Sequence, residues 1–409
     1  MQDTELYQQI LGLTSPWRVE TVKLDASAQE IVVQVEHPRG TLFPCPECSR
    51  ELACYDHGEE RRWRHLDSCQ FKTILVAKVP RVQCSEHGVK TVSVPWAEPH
   101  SRFTILFERL AIDVLMAVQN VKGAMLLLRL KWDATWHIIE RAVTRGKARK
   151  QPSPLPRIGF DEKAFAKGQS YVSMIYDLDK STVEAISDGN DTAAANACFS
   201  QLSQGQIGSV QAIAMDMSPA YVKAAKQNIP LAENKIVHDR FHIMQLATKA
   251  VDQVRRGEHK RLSAGGDKRL ANSRYLWLRN PENHNQEQDK RFMEIYDQTL
   301  QTSKAWALKE TLRELWDAPD STQATRYFSN WYRRAIRSQL VPMVKLARSL
   351  KDRLPNIVTY HTHRITNAVA EGINSKIMSI KRRVGGYRNP KNFKLAILFY
   401  CGGLSLYPR

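Results

Sequence analysis

The sequence predicts an α/β protein in which a core of strands and helices follows a small cysteine-rich module and a helical region. Three observations support this fold class. Two cysteine-containing pairs lie near residues 45 and 84, apolar residues change to helical spacing after Phe107, and strand-like segments begin at Arg157 after a proline-rich linker. The chain has 409 residues, too many for a single core of ordinary size, so several domains are expected.

Basic residues exceed acidic residues along the whole chain. Lys and Arg number 60 against 42 Asp and Glu, which gives a formal net charge of +18. The excess is clustered at residues 61–64, 145–150, 260–269 and 381–388. Cations that neutralise phosphates release condensed counterions, and no basic amphipathic helix accompanies an apolar anchor. The charge therefore predicts a nucleic-acid partner and no membrane contact.

The N-terminus, the apolar segments and the cysteines indicate in which cell compartment the protein resides. Residues 1–9 are polar and lack the layout of a signal peptide, and no run of about 20 apolar residues is present. Seven cysteines without an export signal are typical of a reducing compartment and not of a disulfide scaffold. We expect a cytoplasmic protein.

The two cysteine-containing pairs have the spacing of a metal site. They are Cys45-Pro46-Glu47-Cys48 and Cys84-Ser85-Glu86-His87. If each pair lies on a tight turn, three thiolates and one imidazole complete a closed tetrahedral Zn²⁺ site, and the ion supplies folding energy to a small module. The alternative is a set of unligated cysteines in a small core. Four other cysteines fit no ligand spacing and are predicted to be core thiols: Cys54, Cys69, Cys198 and Cys401.

A basic run with an embedded indole lies between the two pairs. Arg62, Trp63 and Arg64 form its centre, and they are predicted to hold DNA phosphates while the ring stacks. A solvated hairpin with Trp63 in the core of the module is the alternative.

Residues 107–150 show the spacing of a helix-turn-helix domain. A break at 120–123 and a short turn at 130–133 divide the helices, and Asp133 is the predicted N-cap of the second helix of the motif. The predicted recognition helix, residues 134–145, carries Thr135, His137 and Arg141 as candidate DNA contacts. Any small helical bundle shows similar spacing.

The segment after the linker at 151–156 has a characteristic order of elements. Strand-like segments at 157–165, 171–178 and 182–186 precede a helix at 193–202, a strand at 210–215 and a helix at 219–227. This order resembles a ribonuclease H-like core, in which Asp161 on the first strand and Asp216 at the end of the fourth lie on adjacent central strands. An ordinary α/β sheet with two solvated acids is the alternative.

A third acid is predicted on a helix at residues 367–383. An apolar stripe runs through Val369, Ile373 and Ile377, and Glu371 lies on the polar side with Asn374. Two divalent ions about 4 Å apart serve phosphodiester cleavage, and Mg²⁺ (or Mn²⁺) is held by a few carboxylates together with waters and phosphates. Helix geometry alone leaves open an ordinary solvated face with an incidental glutamate.

At these residues the chain resembles the DDE transposases of bacterial insertion sequences, specifically the ISL-three family. The resemblance extends over nearly the whole chain, and its most specific parts are Gly159-Phe160-Asp161-Glu162 and the block at residues 367–376. Further matches lie at residues 62–67, 80–84, 95–97, 215–218, 239–242, 381–383 and 386–388.

The resemblance implies roles for the matched positions. Asp161, Asp216 and Glu371 correspond to the metal-binding catalytic acids, and the zinc ligands correspond to Cys45, Cys48, Cys84 and His87. Many relatives have a cysteine at the position of His87, but imidazole is also a common zinc ligand. The segment between Asp216 and Glu371 resembles a helical insertion. For Asp239 and His242 two roles remain open, support of the metal site and plain helix capping. Lys381, Arg382 and Arg383 are further candidate DNA contacts.

The resulting prediction is a transposase that binds terminal inverted repeats of double-stranded DNA and cleaves and joins strands, as a homodimer or larger synaptic assembly. The predicted domains are a zinc module in 1–100, a helix-turn-helix domain in 101–150, a ribonuclease H-like core in 157–258 and 356–409, and a helical insertion in 259–355. The competing functions are a repeat-binding regulator that does not cut and a nuclease that does not transpose.

Overall fold

The computed structural model describes residues 2–166, 170–297 and 299–409. The chain divides into two compact units, one of Met1–Lys150 with Leu404–Arg409 and one of Gln151–Gly403. The division falls at the start of the proline-rich linker, where proline removes backbone donors and interrupts regular structure.

The first unit is built on a six-stranded sheet that follows the short helix α1 (Asp3–Ile10). Its strands are β1 (Arg18–Asp25), β2 (Glu30–Glu36), β3 (Leu42–Pro44), β4 (Glu51–Arg64), β5 (Lys72–Cys84) and β6 (Gly88–Thr91). The order is β1-β2-β5-β4-β3, with β6 paired to β5. All pairings are antiparallel except that of β2 with β5.

Three helices follow the sheet: α2 (Ile105–Val118), α3 (Val121–Leu127) and α4 (Trp132–Arg149). Asn120 caps α3 by accepting hydrogen bonds from the backbone N–H groups of Lys122 and Gly123. The prediction that Asp133 caps the next helix is wrong, because α4 begins one residue earlier and its N-cap is Lys131. Asp133 instead lies in the first turn, where a carboxylate interacts favourably with the helix dipole.

The last six residues belong to the first unit, although the sequence assigned 356–409 to the second core. The guanidinium groups of Arg145 and Arg149, on α4, donate hydrogen bonds to the carbonyl oxygens of Leu406 and Tyr407. These bonds and the burial of Leu406 attach the C-terminus to the helices.

The second unit contains a five-stranded sheet. Its strands are β7 (Arg157–Ala166), β8 (Ser170–Asp177), β9 (Thr182–Asp188), β10 (Ala212–Met215) and β11 (Ile236–His238), in the order β11-β10-β7-β8-β9. The pairs β7–β8 and β8–β9 are antiparallel, whereas β10 is parallel to both β7 and β11. The sequence-based strands match these within a few residues. The prediction that the first and fourth strands of this unit are adjacent is confirmed, because β10 pairs with β7.

The helices of the second unit either cover the sheet or form a helical region between β11 and the last two helices. They are α5 (Thr192–Phe199), α6 (Gln204–Ser209), α7 (Pro219–Asn228), α8 (Arg240–Ala264), α9 (Arg274–Leu278), α10 (Gln286–Ile295), α11 (Gln301–Arg313), α12 (Ser321–Arg337), α13 (Val341–Asp352), α14 (Leu354–Val358), α15 (Tyr360–His363), α16 (Ala368–Arg383) and α17 (Pro390–Cys401). The predicted boundary at 258/259 falls inside α8, which is continuous through it.

The region from α8 to α14 has its own apolar core. Trp277, Leu312, Phe328 and Trp331 are buried in it. Leu276, Phe292 and Trp316 are also buried in this core. Within the described residues, no helix is long and apolar enough to cross a membrane.

Candidate functional site

The two cysteine-containing pairs lie on turns that bring them together. The first pair follows β3, in a turn closed by a hydrogen bond from the Ser49 N–H to the Cys45 carbonyl oxygen at 2.8 Å. The second pair forms the β5–β6 hairpin, in which Cys84 pairs with Gly88. Gly88 has φ +69°, a conformation that suits glycine in a tight turn. The expected position of both pairs on tight turns is confirmed.

The ligand atoms of Cys45, Cys48, Cys84 and His87 all lie within 4.8 Å of one another. The Sγ atoms of Cys48 and Cys84 are 3.8 Å apart, and His87 Nδ1 lies 3.5 Å from Cys84 Sγ and 3.9 Å from Cys45 Sγ. Around tetrahedral zinc, two sulfur ligands lie about 3.8 Å apart, and a sulfur and a nitrogen about 3.5 Å apart. The four residues therefore fit one zinc ion.

The surroundings of Cys84 favour the thiolate that a metal requires, whereas burial and the hydrogen bonds with Cys45 and Cys84 raise the pKa of Cys48. The pKa of Cys84 is lowered to about 6 because the Glu86 backbone N–H and the His87 side chain donate to its sulfur. Of the other cysteines, Cys198 and Cys401 are buried as expected and Cys54 is half-buried, but the prediction of a core thiol at Cys69 is wrong. Cys69 is exposed because it lies in a left-handed turn between β4 and β5.

Asp161 and Asp216 lie on neighbouring strands of the second sheet. Phe160 of β7 pairs with Met215, the last residue of β10, so Asp161 within β7 and Asp216 just after β10 lie at the same level of the sheet. Burial raises the pKa of both carboxyl groups. The pKa of Asp161 is raised to about 6, and the negative charge of Glu162 adds to the effect of burial.

Each of the two aspartates is held by specific hydrogen bonds. Asp161 Oδ2 accepts from the Asn374 side-chain amide at 2.7 Å, and its Oδ1 accepts from the Glu162 N–H at 2.9 Å. Asp216 Oδ1 accepts from the Ser218 N–H at 2.8 Å. These bonds fix the orientation of the carboxylates before any ligand binds.

Helix α16 packs against β7 and carries both Glu371 and Asn374. Gly159 permits the close approach, since a Cβ there would lie 2.9 Å from Asn367 Oδ1. Asn374 is buried, and its Oδ1 accepts a hydrogen bond from the buried Tyr176 hydroxyl at 2.8 Å. The sequence placed Asn374 on a polar face, whereas the structure makes it a buried link between Tyr176 and Asp161.

Glu371 is half-buried on the same helix. Its pKa is raised, first by burial and then by the negative charge of Asp239. Asp239 also raises the pKa of His242, because its Oδ2 lies 2.9 Å from the ring Nδ1. The side chain of Asp239 makes no helix-capping hydrogen bond, so plain capping does not explain it. The negative charges of Asp161 and Asp216 act on His242 as well, which places the imidazole beside the acids.

Sequence reasoning missed Glu162 as part of this cluster. Burial raises its pKa, and the charge of Asp216 acts in the same direction. Its Oε2 atom is buried and has no hydrogen-bond partner among the described residues. Its position next to Asp161 on β7 was the available signal. Neighbouring side chains of a strand point to opposite faces, so this position did not predict that Glu162 lies with the acids.

The acids differ from the cysteine module in one respect. Among the described residues, Cys45, Cys48, Cys84 and His87 form the only group of three or more Cys, His, Asp or Glu side chains close enough to hold a metal ion. The carboxylates of Asp161, Asp216 and Glu371 are therefore not a closed ligand set in this structure.

Several residues predicted to contact DNA are not on the surface. Trp63 and Thr135 are completely buried, and Arg64 is buried in an ion pair with Asp67. Trp63 thus follows the alternative of a core indole, because alternation along β4 turns it inward. Arg141 pairs with Glu98 at 3.1 Å. Four of the predicted contacts are exposed: Arg62, His137, Arg382 and Arg383. Lys381, half-buried, donates to the Ala164 carbonyl oxygen at 2.9 Å.

Comparison with known protein families identifies the chain. A family model of the ISL3 group, described as a transposase, matches residues 158–397. The chain belongs to this transposase family. A second model, described as the zinc-finger of transposase IS204/IS1001/IS1096/IS1165, matches residues 41–87. This match and the four-residue cluster together support a zinc site in the first unit.

Two relatives illustrate the similarity of this family member to transposases along its length. The transposase for insertion sequence element IS1001 of Bordetella parapertussis is 28% identical over 88% of this chain and 89% of its own length. The transposase for insertion sequence element IS1557 of Mycobacterium tuberculosis is 25% identical over 98% of this chain and 96% of its own. Family membership implies an enzyme that cleaves and transfers DNA.

Proposed function

We propose that the protein binds the terminal inverted repeats of an insertion sequence and catalyses cleavage and transfer of DNA strands with divalent metal ions. The observation that carries the proposal is the pairing of β7 with β10, which supports a shared position for Asp161 and Asp216. Glu371, on the helix that packs against β7, is the proposed third acid.

The sheet supports a ribonuclease H-like core. Its first three strands are antiparallel, and the fourth and fifth lie on the other side of the first and parallel to it. Helices α3 and α4, joined by a short turn, support a helix-turn-helix domain. In this account α8 to α14 form the helical insertion.

Asp161, Asp216 and Glu371 are the proposed ligands of Mg²⁺ or Mn²⁺. Carboxylates suit these hard cations, and the partly buried acids with raised pKa values have charge that a cation would stabilise. Two such ions supply activation of the attacking oxygen and stabilisation of the leaving oxygen. Asp161 would serve as a ligand in both sites.

Other residues of the site orient and balance these acids. Asn374 holds Oδ2 of Asp161 and the Glu162 N–H holds Oδ1, so the carboxylate has a fixed orientation towards a ligand. Asp239 raises the pKa of His242, so the imidazolium form is favoured next to the acids. In its protonated form His242 would attract the phosphate backbone of the substrate.

DNA recognition is proposed for the exposed cations and for α4. Arg62 and His137 offer charge and hydrogen bonds in the first unit, and Arg382 and Arg383 do so at the end of α16. Synapsis of two element ends requires two copies of the protein or more, so a homodimer or larger assembly is part of the proposal.

One experiment separates this function from that of a repeat-binding regulator. The full chain is incubated with Mn²⁺ or Mg²⁺ and a duplex carrying the element end, and wild type is compared with Asp216→Asn. We expect equal binding by both proteins and strand cleavage by wild type only. Binding without cleavage by wild type would favour the regulator.

A further inference from the structure

The helical hairpin formed by α12 and α13 has an unusual charge. Between Ser321 and Asp352 there are seven cations and one acid, Asp352, which gives this stretch a net charge of +6. All seven cations are exposed: Arg326, Arg333, Arg334, Arg337, Lys345, Arg348 and Lys351. We call these seven side chains the basic hairpin.

None of the seven cations forms an ion pair within the described part of the chain. Arg333 donates only to the Asn330 side chain, and Lys351 lies 5.0 Å from the centroid of the Tyr332 ring. Some arginines elsewhere in the helical region are ion-paired, as Arg255 is with Asp252 at 2.8 Å and Arg313 with Glu310 at 2.7 Å. The hairpin therefore presents charge that the protein itself does not neutralise.

The opposite faces of the same helices fix the hairpin in place. Phe328 and Trp331 of α12 and Met343 and Leu350 of α13 are buried in the helical core. The Trp331 Nε1–H donates to the Leu308 carbonyl oxygen at 2.8 Å. The cations thus project from a packed platform, so little order is lost when they bind a ligand.

The spacing along α12 matches an extended polyanion. Arg326, Arg333 and Arg337 lie seven and four residues apart, which keeps them on one stripe opposite the buried face. At 1.5 Å per residue the stripe is about 16 Å long, comparable with about five base pairs of duplex. Guanidinium groups bind phosphate oxygens in pairs, and arginine supplies all four cations of this helix.

A membrane surface fits the hairpin less well. Helices that lie on membranes bury an apolar face in the lipid, but the apolar faces of α12 and α13 are buried in the protein. Val341 is the one large apolar side chain of these two helices among the exposed ones in the described residues. Duplex DNA needs only the phosphate contacts.

We propose that the basic hairpin is a DNA surface that grips the phosphates of duplex DNA whatever their base sequence. It is additional to the repeat-reading surfaces of the first unit, and it rests on the proposed function in that DNA is the substrate. It gives the insertion a task of its own: to hold duplex near the domain that carries the acids.

The test measures binding and not cleavage, in full-length, zinc-loaded protein that also carries Asp216→Asn. The variant Arg333→Gln/Arg334→Gln/Arg337→Gln is compared with Lys223→Gln/Lys226→Gln/Lys290→Gln, which removes three exposed charges elsewhere in the same unit. Affinities for an element-end duplex and for a duplex of unrelated sequence are measured over a range of KCl concentrations. Thermal unfolding confirms that both variants are folded.

We expect the slope of log K against log salt to become shallower by about 2 to 3 for the hairpin variant, equally on both duplexes, and by less than about 1 for the control. Equal slopes for the two variants would overturn the inference, as would an effect on the element end alone. Vesicles with anionic phospholipid provide a further arm. Loss of vesicle binding with unchanged DNA binding would also overturn it. The proposed function is tested separately, by measuring cleavage of the element-end duplex by the hairpin variant in protein that retains Asp216.

Discussion

The four zinc-type ligands and the three acids are assembled in different ways. Cys45, Cys48, Cys84 and His87 come from two turns within 43 residues of one another, and their ligand atoms already have tetrahedral spacing. Asp161, Asp216 and Glu371 come from two strands and a helix, and no closed ligand set is formed. The first arrangement suits an ion that stabilises the fold, and the second suits ions that arrive with a substrate and leave room for it.

The two regions also differ in electrostatics. Hydrogen bonds lower the pKa of Cys84, which favours the charged form before a metal binds. Burial raises the pKa of the three acids, which disfavours their charged forms until a cation neutralises them. The hydrogen bonds of the module therefore favour the thiolate at Cys84, whereas burial disfavours the carboxylates of the three acids. Four predictions test this difference.

The largest effect is expected from Cys84→Ser. It removes one of four zinc ligands, and structural zinc contributes about 10–16 kcal/mol of apparent binding free energy. We expect loss of stoichiometric zinc and loss of hydrogen-exchange protection over β3 to β6. The control is Cys69→Ser, an exposed thiol outside the cluster. A Cys84→Ser protein with full zinc and unchanged protection would contradict the closed site.

A smaller effect is expected from Asn374→Ala. Without the amide, Asp161 loses the hydrogen bond that orients it, and the substitution of such a supporting residue costs about 10- to 100-fold in metal affinity or activity. The expected result is a cleavage rate reduced by that factor and partly restored by a higher Mn²⁺ concentration. Ser375→Ala, at an exposed neighbouring position, is the control. A rate that no Mn²⁺ concentration changes would indicate a purely structural role.

Asp161→Asn is expected to stabilise the protein in the absence of divalent ions. The pKa of Asp161 is about 6 in the folded protein and ordinary when unfolded, so the folded state holds more protons between those values. Stability then falls as pH rises from about 4 to 6, and the variant escapes this loss. At pH 7.5 we expect a free energy of unfolding higher by roughly 1–3 kcal/mol. Equal stability of the two proteins from pH 4 to 7.5 would contradict a raised pKa of Asp161 in the folded protein.

The smallest effect is expected from Glu162→Gln. Its negative charge helps to raise the pKa of Asp161, so its removal lets that pKa fall. We expect the acid limb of the pH–rate profile for cleavage to move down by less than about one pH unit, with the rate at pH 8 changed less than about threefold. A loss of cleavage activity as large as that expected on substitution of Asp161, Asp216 or Glu371 would instead indicate that Glu162 is a fourth metal ligand.

The extent to which the sequence predicts these regions follows from the distances between partners. The four ligands of the cysteine module are predicted because each ligand pair is contained in four residues. Asp161 and Asp216 are predicted as neighbours because the order of strands determines which ones pair. The role proposed for Glu371 rests on the family resemblance, since helix phase shows a polar face and no partner.

Other features depend on contacts that no local pattern contains. The partner of Asn374 is 213 residues away, so its burial against Asp161 is not visible from the polar side of a helix. The exposure of Cys69 and the inward direction of Trp63 result from a turn and from the register of β4. Asp133 has a good capping side chain, but the helix begins before it.

Single-turnover cleavage of an element-end duplex with Mn²⁺ tests the proposed metal site in the variants Asp161→Asn, Asp216→Asn and Glu371→Gln. Glu287→Gln, an exposed acid of the helical region, is the control. Each of the three variants is expected to bind the duplex like wild type but to cleave it at least about 1000-fold more slowly, a loss of about 4 kcal/mol of transition-state stabilisation. Cleavage at the wild-type rate by any of the three would contradict the proposed metal site.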